Sequence, residues 1–223
     1  IIPIENSLAG RVADIHYLIP KYKLQIHSEH FQKVTHNLLG IKGSKIKDIK
    51  TVRSHAQALG QAQKFISTNK LISITAADTA GSAKFISENN DKSQGAIASE
   101  LAAKIYDLEI LKSSVEDEPG NTTRFLILQK DPTHPELSDK KYITTCIFQL
   151  KSVPASLFKA LGSFATNGVN LCKLESFSVK NTFDQVNFYI DIEGHIEDQS
   201  LQKALEELGF HTQKLDVLGV YEA

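Results

Sequence analysis

A polar run with two prolines, residues 130–141, divides the sequence into two parts with different patterns of apolar residues. Before this run, short apolar stretches alternate with stretches of helical periodicity. Prolines and charged residues clustered between patterned segments are typical of linkers between domains. The sequence therefore predicts one domain over residues 1–130, a linker over residues 131–141 and a second domain over residues 142–223.

The first part predicts an alternation of strands and helices, which is typical of a layered α/β domain with a parallel sheet. The predicted strands are residues 1–4, 50–53, 71–75, 95–98 and 124–128. The predicted helices are residues 8–19, 55–67, 80–88 and 100–106. The chain opens in an apolar run and contains no methionine, so we expect the first strand to begin upstream of residue 1.

The second part predicts the order β-α-β-β-α-β, which is the ferredoxin-like arrangement. Its predicted strands are residues 142–150, 169–179, 185–194 and 211–221, with a turn at 180–184. Its predicted helices are residues 154–166 and 198–208. Gly168 predicts a left-handed cap at the end of the first helix, and Gly209 predicts the end of the second.

The charge balance argues against a general binder of polyanions. The sequence has 25 Lys and Arg against 26 Asp and Glu, a net charge of −1. The densest basic stretch, residues 42–53, lacks the interleaved aromatic residues of a nucleic-acid site. We find neither a signal peptide nor a membrane span, so the sequence predicts a cytoplasmic protein with no nucleic-acid or membrane partner.

The histidines and cysteines predict no metal site. Cys146 and Cys172 lie in separate strand-like runs and fit no ligand spacing. His27, His30 and His36 are spaced by three and six residues, with no cysteine or acidic cluster beside them.

Three short turns carry polar side chains where a predicted strand passes into a predicted helix. They are Glu5-Asn6-Ser7, Ser54-His55-Ala56-Gln57 and Asp78-Thr79-Ala80. Ser54 and Gln57 have the spacing of a capping box, and each turn alone indicates a helix N-cap. Because helices on one side of a parallel sheet open at the same edge, three such turns in series predict a site for a carboxylate or another anion.

The run Asn121-Thr122-Thr123-Arg124-Phe125 is a fourth candidate, at the entry to a predicted strand. Thr123 could donate a proton or a hydrogen bond to a leaving hydroxyl, and Arg124 could bind a carboxylate through two parallel hydrogen bonds. The residues alone favour a plainer interpretation, in which both are strand-entry residues and Arg124 pairs with an acid of the preceding loop.

These segments, in this order, resemble the prephenate dehydratase family. The matching runs are Pro3-Ile4-Glu5-Asn6-Ser7, Ser54-His55-Ala56-Gln57-Ala58-Leu59, Asp78-Thr79-Ala80-Gly81-Ser82-Ala83, Ala96-Ile97-Ala98-Ser99 and Asn121-Thr122-Thr123-Arg124-Phe125-Leu126. The second part resembles an ACT domain of the phenylalanine-sensing kind, through residues 168–176 and 189–195. The resemblance implies an α/β fold, with a two-lobed, type II periplasmic-binding-like catalytic domain followed by a ferredoxin-like βαββαβ ACT domain.

The resemblance implies the conversion of prephenate to phenylpyruvate, with loss of water and carbon dioxide, in L-phenylalanine biosynthesis. It implies no cofactor, because aromatisation of the ring drives the reaction. It implies Thr123 as the catalytic donor to the leaving hydroxyl, with Arg124 as a second catalytic residue. It assigns substrate binding to nine residues: Glu5, Asn6, Ser7, Ser54, His55, Gln57, Thr79, Asn121 and Phe125.

The ACT resemblance implies L-phenylalanine as an allosteric effector and a homodimer or a dimer of dimers. It assigns effector binding to seven residues: Ala155, Ser156, Leu157, Asn170, Leu171, Glu175 and Ser176. Two effector motifs depart from the family, since Ala155 stands for a glycine and Phe177-Ser178 for Arg-Pro. Ala56 likewise replaces a family proline.

Two alternatives to the leading function stay open. Arogenate, which carries an amino group in place of the keto group, is an alternative substrate. A non-catalytic amino-acid-binding module would share the two-lobed fold, because fold alone does not decide function.

Overall fold

A computed structural model of the protein describes residues 1–12, 15–151, 153–178 and 186–223. Sheets and helices are combined throughout, so the predicted α/β class is confirmed. In these residues no helix is both long and apolar enough to cross a membrane.

The chain forms two compact units. Residues 1–32 and 124–223 make up the first, which we call the discontinuous unit, and residues 33–123 make up the central unit. The domain boundaries predicted at residues 130 and 142 both fall inside the discontinuous unit, and they stay a prediction.

The N-terminal part of the discontinuous unit begins with a β-hairpin. Its elements are β1 (Ile2–Asn6), β2 (Gly10–Arg11), α1 (Ile15–Lys21) and β3 (Gln25–Lys33). The predicted helix from residue 8 is wrong at its start, because Oδ1 of Asn6 accepts hydrogen bonds from the backbone N–H groups of Leu8 and Ala9. This turn and the left-handed Gly10, with φ of +76°, direct the chain back along β1.

The central unit contains a five-stranded sheet in the order β6-β5-β7-β4-β8. Its elements are β4 (Asn37–Gly40), β5 (Thr51–His55), α2 (Ala56–Gly60), α3 (Gln63–Thr68), β6 (Ile72–Ala76), α4 (Thr79–Asn89), β7 (Gln94–Ala98), α5 (Glu100–Ile105) and β8 (Glu109–Lys112). β5 runs parallel to β6 and β7, while β4 runs antiparallel to β7 and β8. The core beneath the sheet includes Leu38, Val52 and Ile97, all fully buried.

The remaining elements belong to the discontinuous unit, apart from the first two residues of β9. They are β9 (Thr122–Gln129), β10 (Tyr142–Leu150), α6 (Ser156–Thr166), β11 (Leu171–Ser178), β12 (Val186–Glu193), α7 (Gln199–His211) and β13 (Thr212–Glu222). β9 joins the N-terminal strands in a sheet of order β2-β1-β9-β3. β10 to β13 form an antiparallel sheet of order β11-β12-β10-β13, with α6 and α7 in the predicted places.

The central strand β10 of the antiparallel sheet is buried on both faces, whereas β11 exposes every second residue. Cys146 and Phe148 of β10 point to the face that α6 and α7 cover. Ile143 and Ile147 point to the other face, which packs against the N-terminal part through a cluster that includes Ile4, Ile26 and Leu126. Charged side chains that point to this second face must therefore find partners in the N-terminal part.

Two predictions about helix ends have different outcomes. Gly168 has φ of +67°, as expected for a left-handed cap after α6. The predicted stop at Gly209 is wrong, because α7 continues to His211. Nζ of Lys151 donates to the carbonyl of Phe210 and so satisfies one of the last free acceptors of the helix. The predicted turn at 180–184 and the predicted strand ends at Val179 and Gln185 lie outside the described residues.

Gly219 marks a close approach between β13 and β3. A Cβ atom at this position would lie 2.2 Å from the carbonyl oxygen of Ile26 and 2.8 Å from its Cβ. A hydrogen atom is the largest side chain that fits there without moving the backbone.

Candidate active site

Two of the three predicted turns lie at one edge of the central sheet. His55 is the last residue of β5, Gln57 follows it in α2, and Thr79 follows β6. β5 and β6 are parallel, so their carboxyl ends meet at the same edge, where ligands of open α/β sheets commonly bind. His55 and Gln57 are exposed and Thr79 is half-buried. The third turn, at residues 5–7, belongs to the other unit.

One of the two helix starts at this edge is capped differently from the prediction, and the other as predicted. The capping box of Ser54 and Gln57 is wrong: His55 is the N-cap of α2, and its Nδ1 accepts from the backbone N–H of Gln57 at 3.3 Å. Ser54 is fully buried, and its hydroxyl donates to the carbonyl of Ile97 at 2.6 Å. At the start of α4 the carboxylate of Asp78 accepts from Gly81, so an acidic side chain already occupies that helix N-terminus.

Asn121 is tied to the end of α2 by Gln61. The side-chain amide of Asn121 donates to Oε1 of Gln61 at 2.8 Å, and Nε2 of His36 lies 2.9 Å from the same oxygen. Asn121 and His36 are 2% and 7% exposed. An amide oxygen that takes two hydrogen bonds from buried donors fixes both donors in place. The segment that leads into Thr123 is thus anchored to the helix that carries Gln57.

Thr123 lies on β9, half-buried, one residue before the chain passes into the discontinuous unit. Arg124 and Phe125 follow on the same strand, both also half-buried. The strand-entry prediction is therefore met, and it does not by itself separate a structural role from a catalytic one.

The guanidinium of Arg124 is held on three sides. Its Nε lies 2.6 Å from Oε2 of Glu29, its Nη1 lies 2.6 Å from Oδ2 of Asp191, and its Nη2 donates to the hydroxyl of Tyr221 at 3.0 Å. The Arg124 side chain is 12% exposed. Burial by itself would lower the pKa of Arg124, but Asp191, Tyr221 and Glu29 outweigh it and raise the pKa. The acid partners of Arg124 come from β3 and β12, with Glu5 of β1 a third at 4.0 Å from Nη1, and the preceding loop supplies none of these contacts.

Asp191 is fixed by the sheet on which it lies. It is fully buried and sits opposite Thr145 on the neighbouring strand, whose hydroxyl donates to Oδ1 of Asp191 at 2.6 Å. The Tyr221 hydroxyl lies 3.0 Å from Oγ1 of Thr145. Since the Thr145 proton goes to Asp191, Tyr221 donates to Thr145 and accepts from Arg124. This chain of hydrogen bonds leaves the Asp191 carboxylate little freedom to turn.

The predicted substrate residue Glu5 contacts the antiparallel sheet as well. Its Oε2 lies 2.6 Å from Nζ of Lys173 on β11, and Lys173 lies 2.9 Å from Glu175. Asn6 holds the hairpin turn through its side chain, next to Ser7. Glu5 is thus joined by one lysine to a residue that the ACT resemblance assigns to effector binding.

The predicted effector residues are distributed over both faces of the antiparallel sheet. Glu175 points to the N-terminal part, where its Oε2 lies 3.4 Å from Nε2 of His16 and 3.8 Å from Nε of Arg11. Ser176, one residue on, points to the opposite face. Its carbonyl accepts from Arg11 at 3.1 Å.

The remaining effector residues lie at the ends of two elements. Ala155 precedes α6 with φ of +59°, and Ser156 and Leu157 open that helix. Asn170 and Leu171 stand at the start of β11, where the carbonyl of Asn170 accepts from the backbone of Glu193.

Comparison with known proteins decides the family. Residues 1–133 match the family model described as prephenate dehydratase. The chain belongs to the prephenate dehydratase family. The match includes Thr123 and Arg124 and all nine residues that the resemblance assigned to substrate binding.

Relatives described as prephenate dehydratases or arogenate dehydratases align with nearly the whole chain. A bifunctional N-acyl-homoserine lactone acylase/prephenate dehydratase of Komagataeibacter europaeus is 43% identical over 98% of the chain and 78% of the relative. Arogenate dehydratase 2 of Petunia hybrida is 37% identical over 99% of the chain and 59% of the relative. The chain thus spans about three fifths of the plant protein and more of the bacterial one.

Solved structures agree with the prephenate dehydratase assignment. A structure described as GqqA, a novel type of quorum quenching acylase, superimposes with a TM-score of 0.91 at 43% identity, over 100% of the chain and 81% of the other. The prephenate dehydratase of Arthrobacter aurescens in complex with L-Phe gives a TM-score of 0.85 at 27% identity, over 100% and 74%.

Sequence reasoning missed Glu29, Lys173, Gln61 and Tyr221, which bind the candidate site residues from distant parts of the chain. For Asp191 a signal was present. It lies between Ile190 and Ile192 in a strand-like run, where a charged residue in a buried strand needs an ionic partner. The identity of that partner, Arg124, is a property of the fold and not of the local pattern.

Proposed function

We propose that the protein is a prephenate dehydratase, which converts prephenate to phenylpyruvate, carbon dioxide and water. The observation that carries the proposal is the run of Thr123 and Arg124 at the start of β9, in a chain whose first 133 residues match that family.

In the proposed reaction the ring carboxylate leaves as carbon dioxide, and the electrons of its carbon–carbon bond enter the ring. The ring hydroxyl leaves from the opposite carbon and takes up a proton to become water, so the ring becomes aromatic. The hydroxyl is a poor leaving group, and the enzyme must supply a donor to it. We assign Thr123 to this role, as a hydrogen-bond donor in a concerted step, because a threonine hydroxyl is a weak acid.

Substrate binding is proposed for the edge of the central sheet, while the assignment of Glu5, Asn6 and Ser7 to substrate binding rests on the family resemblance alone. His55, Gln57 and Thr79 are accessible at the carboxyl ends of β5 and β6, which supports a binding role. Ser54 and Asn121 are buried and already hydrogen-bonded, which supports a role in shaping the site. Binding of a substrate carboxylate by Arg124 stays a prediction, and the bonds that its guanidinium makes also support a role in holding β9.

Residues 142–223 are proposed to form an ACT domain that binds L-phenylalanine and inhibits the enzyme. The order βαββαβ, the sheet order β11-β12-β10-β13 and the similarity to a prephenate dehydratase described in complex with L-Phe support this proposal. A homodimer or a dimer of dimers is proposed on the ACT resemblance.

The test is a side-by-side assay of the purified protein on prephenate and arogenate, with phenylpyruvate and phenylalanine as the measured products. We expect turnover of prephenate, with a loss of a hundredfold or more in Thr123→Ala and partial recovery in Thr123→Ser. Thr122→Ala is the matched control and should retain turnover. Faster turnover of arogenate would move the assignment to arogenate dehydratase, and binding without turnover of either would favour the non-catalytic binding module.

A second candidate activity follows from the Komagataeibacter relative, whose description includes N-acyl-homoserine lactone acylase and whose identity to the chain is 43%. The same protein should be tested for release of homoserine lactone from an N-acyl-homoserine lactone. If Thr123→Ala loses phenylpyruvate formation but retains this hydrolysis, the two activities use different groups.

A further inference from the structure

We propose that Glu29 is a positioning residue for the dehydratase reaction: it holds the guanidinium of Arg124 and, through the backbone of β9, sets the place of Thr123. This inference rests on the proposed function. None of the functions assigned above uses Glu29.

The contact between Glu29 and Arg124 is short and enclosed. Oε2 of Glu29 lies 2.6 Å from Nε of Arg124, and the two side chains are 9% and 12% exposed. Hydrogen bonds between ionised groups at such distances are among the stronger ones in proteins. Because both charges are largely removed from water, each depends on the other for its compensation.

The position of this contact on the arginine matters. Nε is the guanidinium nitrogen nearest to the backbone, so a bond to it constrains the side-chain torsions closest to Cα of Arg124. β3 lies directly beside β9 in the sheet of order β2-β1-β9-β3. The bond therefore joins neighbouring strands of one sheet at Arg124, the residue that directly follows Thr123.

Phe31 provides a second contact from the same strand. Side chains two residues apart on a strand point to the same face, so Glu29 and Phe31 both face Arg124. The Phe31 ring lies 6.0 Å from Cζ of Arg124, at cation–π distance. The ring is 58% exposed, so it can be substituted without opening a cavity in the core.

Glu29 thus binds the guanidinium at its edge and Phe31 approaches its face, while Thr123 is the residue immediately before Arg124. A shift of the guanidinium would move the start of β9, and with it the hydroxyl proposed to assist departure of the ring hydroxyl. The geometry of that donor matters most in the transition state, so its loss should lower kcat more than it raises KM.

The test is steady-state kinetics on prephenate with the full protein. We expect Glu29→Gln, which keeps size but removes the charge, to lower kcat at least tenfold while KM changes less than threefold. Glu222→Gln is the charge-matched control, since Glu222 forms an exposed pair with Lys140. Ile26→Val is the stability-matched control, since Ile26 is fully buried on the same strand. Both controls should keep the wild-type kcat.

Substitutions of Phe31 give a second, independent test, because Phe31 is exposed and its variants do not change the core. Phe31→Leu removes the ring at an exposed position, and we expect a severalfold loss of kcat. Phe31→Tyr keeps the ring and should restore it. A kcat within twofold of wild type in both Glu29→Gln and Phe31→Leu would overturn the proposal, as would an equal loss in Ile26→Val. If the wild type forms no product from prephenate or arogenate, the proposed function fails as well, so the two failures are distinguishable.

Discussion

The carboxylate of Asp191 lies 2.6 Å from Nη1 of Arg124, so a residue of the antiparallel C-terminal sheet neutralises the arginine that follows the candidate catalytic threonine. The pair joins β12 to β9 across 67 residues of sequence. Any change in the antiparallel sheet that moves Asp191 therefore acts on the start of β9. If phenylalanine binding alters this sheet, the pair offers a direct physical connection to Thr123.

We predict that Asp191→Asn destabilises the fold by about 2 to 4 kcal/mol. Loss of the carboxylate leaves the buried guanidinium with Glu29 at 2.6 Å and Glu5 at 4.0 Å as its acid partners. Breaking one side of a buried ion pair costs about this much. Urea denaturation followed by circular dichroism measures the change. Glu222→Gln, which removes a carboxylate from an exposed pair with Lys140, should leave the midpoint unchanged. A midpoint for Asp191→Asn equal to that of the control would contradict the prediction.

Stability should fall between pH 6.5 and pH 4 because of His16. Burial lowers the pKa of His16 from 6.5 to about 4, although the nearby Glu175 raises it, while Lys173 and Arg11 lower it further. Above pH 6.5 the ring is neutral in both states and the full stability is present. As the pH falls, His16 binds a proton in the unfolded chain but stays neutral in the folded one. This difference lowers the free energy of unfolding by about 2 to 3 kcal/mol at pH 4.

The measurement for His16 is the free energy of unfolding at several pH values. His16→Phe keeps a ring against Phe177 and Tyr189 but has no titrating group, so its stability should vary less across this window. His27→Gln changes an exposed histidine and should follow the wild type. If the free energy of unfolding changes equally with pH in the wild type and in His16→Phe, then His16 is not the group responsible for the loss of stability.

Gln61→Leu should destabilise the fold by roughly 2 to 4 kcal/mol. The change removes the acceptor shared by Asn121 and His36, and each buried donor left without an acceptor costs about 1 to 3 kcal/mol. Gln61→Glu keeps an oxygen in place and should recover most of the loss. Gln63→Leu, at an outward position two residues on, is the matched control, and thermal melting compares the four proteins. Equal melting temperatures for both leucine variants would show that the shared acceptor has no stabilising effect.

Removing the cap of α4 should cost about 1 kcal/mol. Asp78→Ala leaves the backbone N–H of Gly81 without its carboxylate partner, whereas Asp78→Asn keeps a side-chain oxygen there. Chemical denaturation should therefore rank the three proteins as wild type, Asp78→Asn and Asp78→Ala in decreasing stability. An alanine variant as stable as the asparagine variant would argue against the cap.

The parts of the fold that could be predicted are those where the local pattern and the burial agree. β7 is a short, largely apolar and buried run, and α4 and α5 follow clear N-caps at Asp78 and Ser99. β3 was missed because most of its residues are polar and only one of its nine residues, Ile26, is buried. The helix predicted from residue 8 was wrong because the Asn6 turn outweighs the apolar periodicity that follows it.

The candidate site was predictable as a set of segments and not as a set of contacts. Thr123 and Arg124 could be named from their run and from the family resemblance. The partners of Arg124 lie 95, 67 and 97 residues away in sequence, so no local spacing could indicate them. Tertiary packing brings three acids and a tyrosine to one guanidinium, and only the folded chain contains that information.

The close approach at Gly219 has a consequence for how this protein could be engineered. Any side chain there would act as a wedge between β13 and β3, the strand that carries Glu29 and Phe31. Gly219→Ala adds one carbon atom and should push the antiparallel sheet away from β3, the strand that supports Arg124. The change alters no charge and no hydrogen-bonding group. Directed-evolution libraries that test whether the C-terminal sheet influences the start of β9 could begin at this residue.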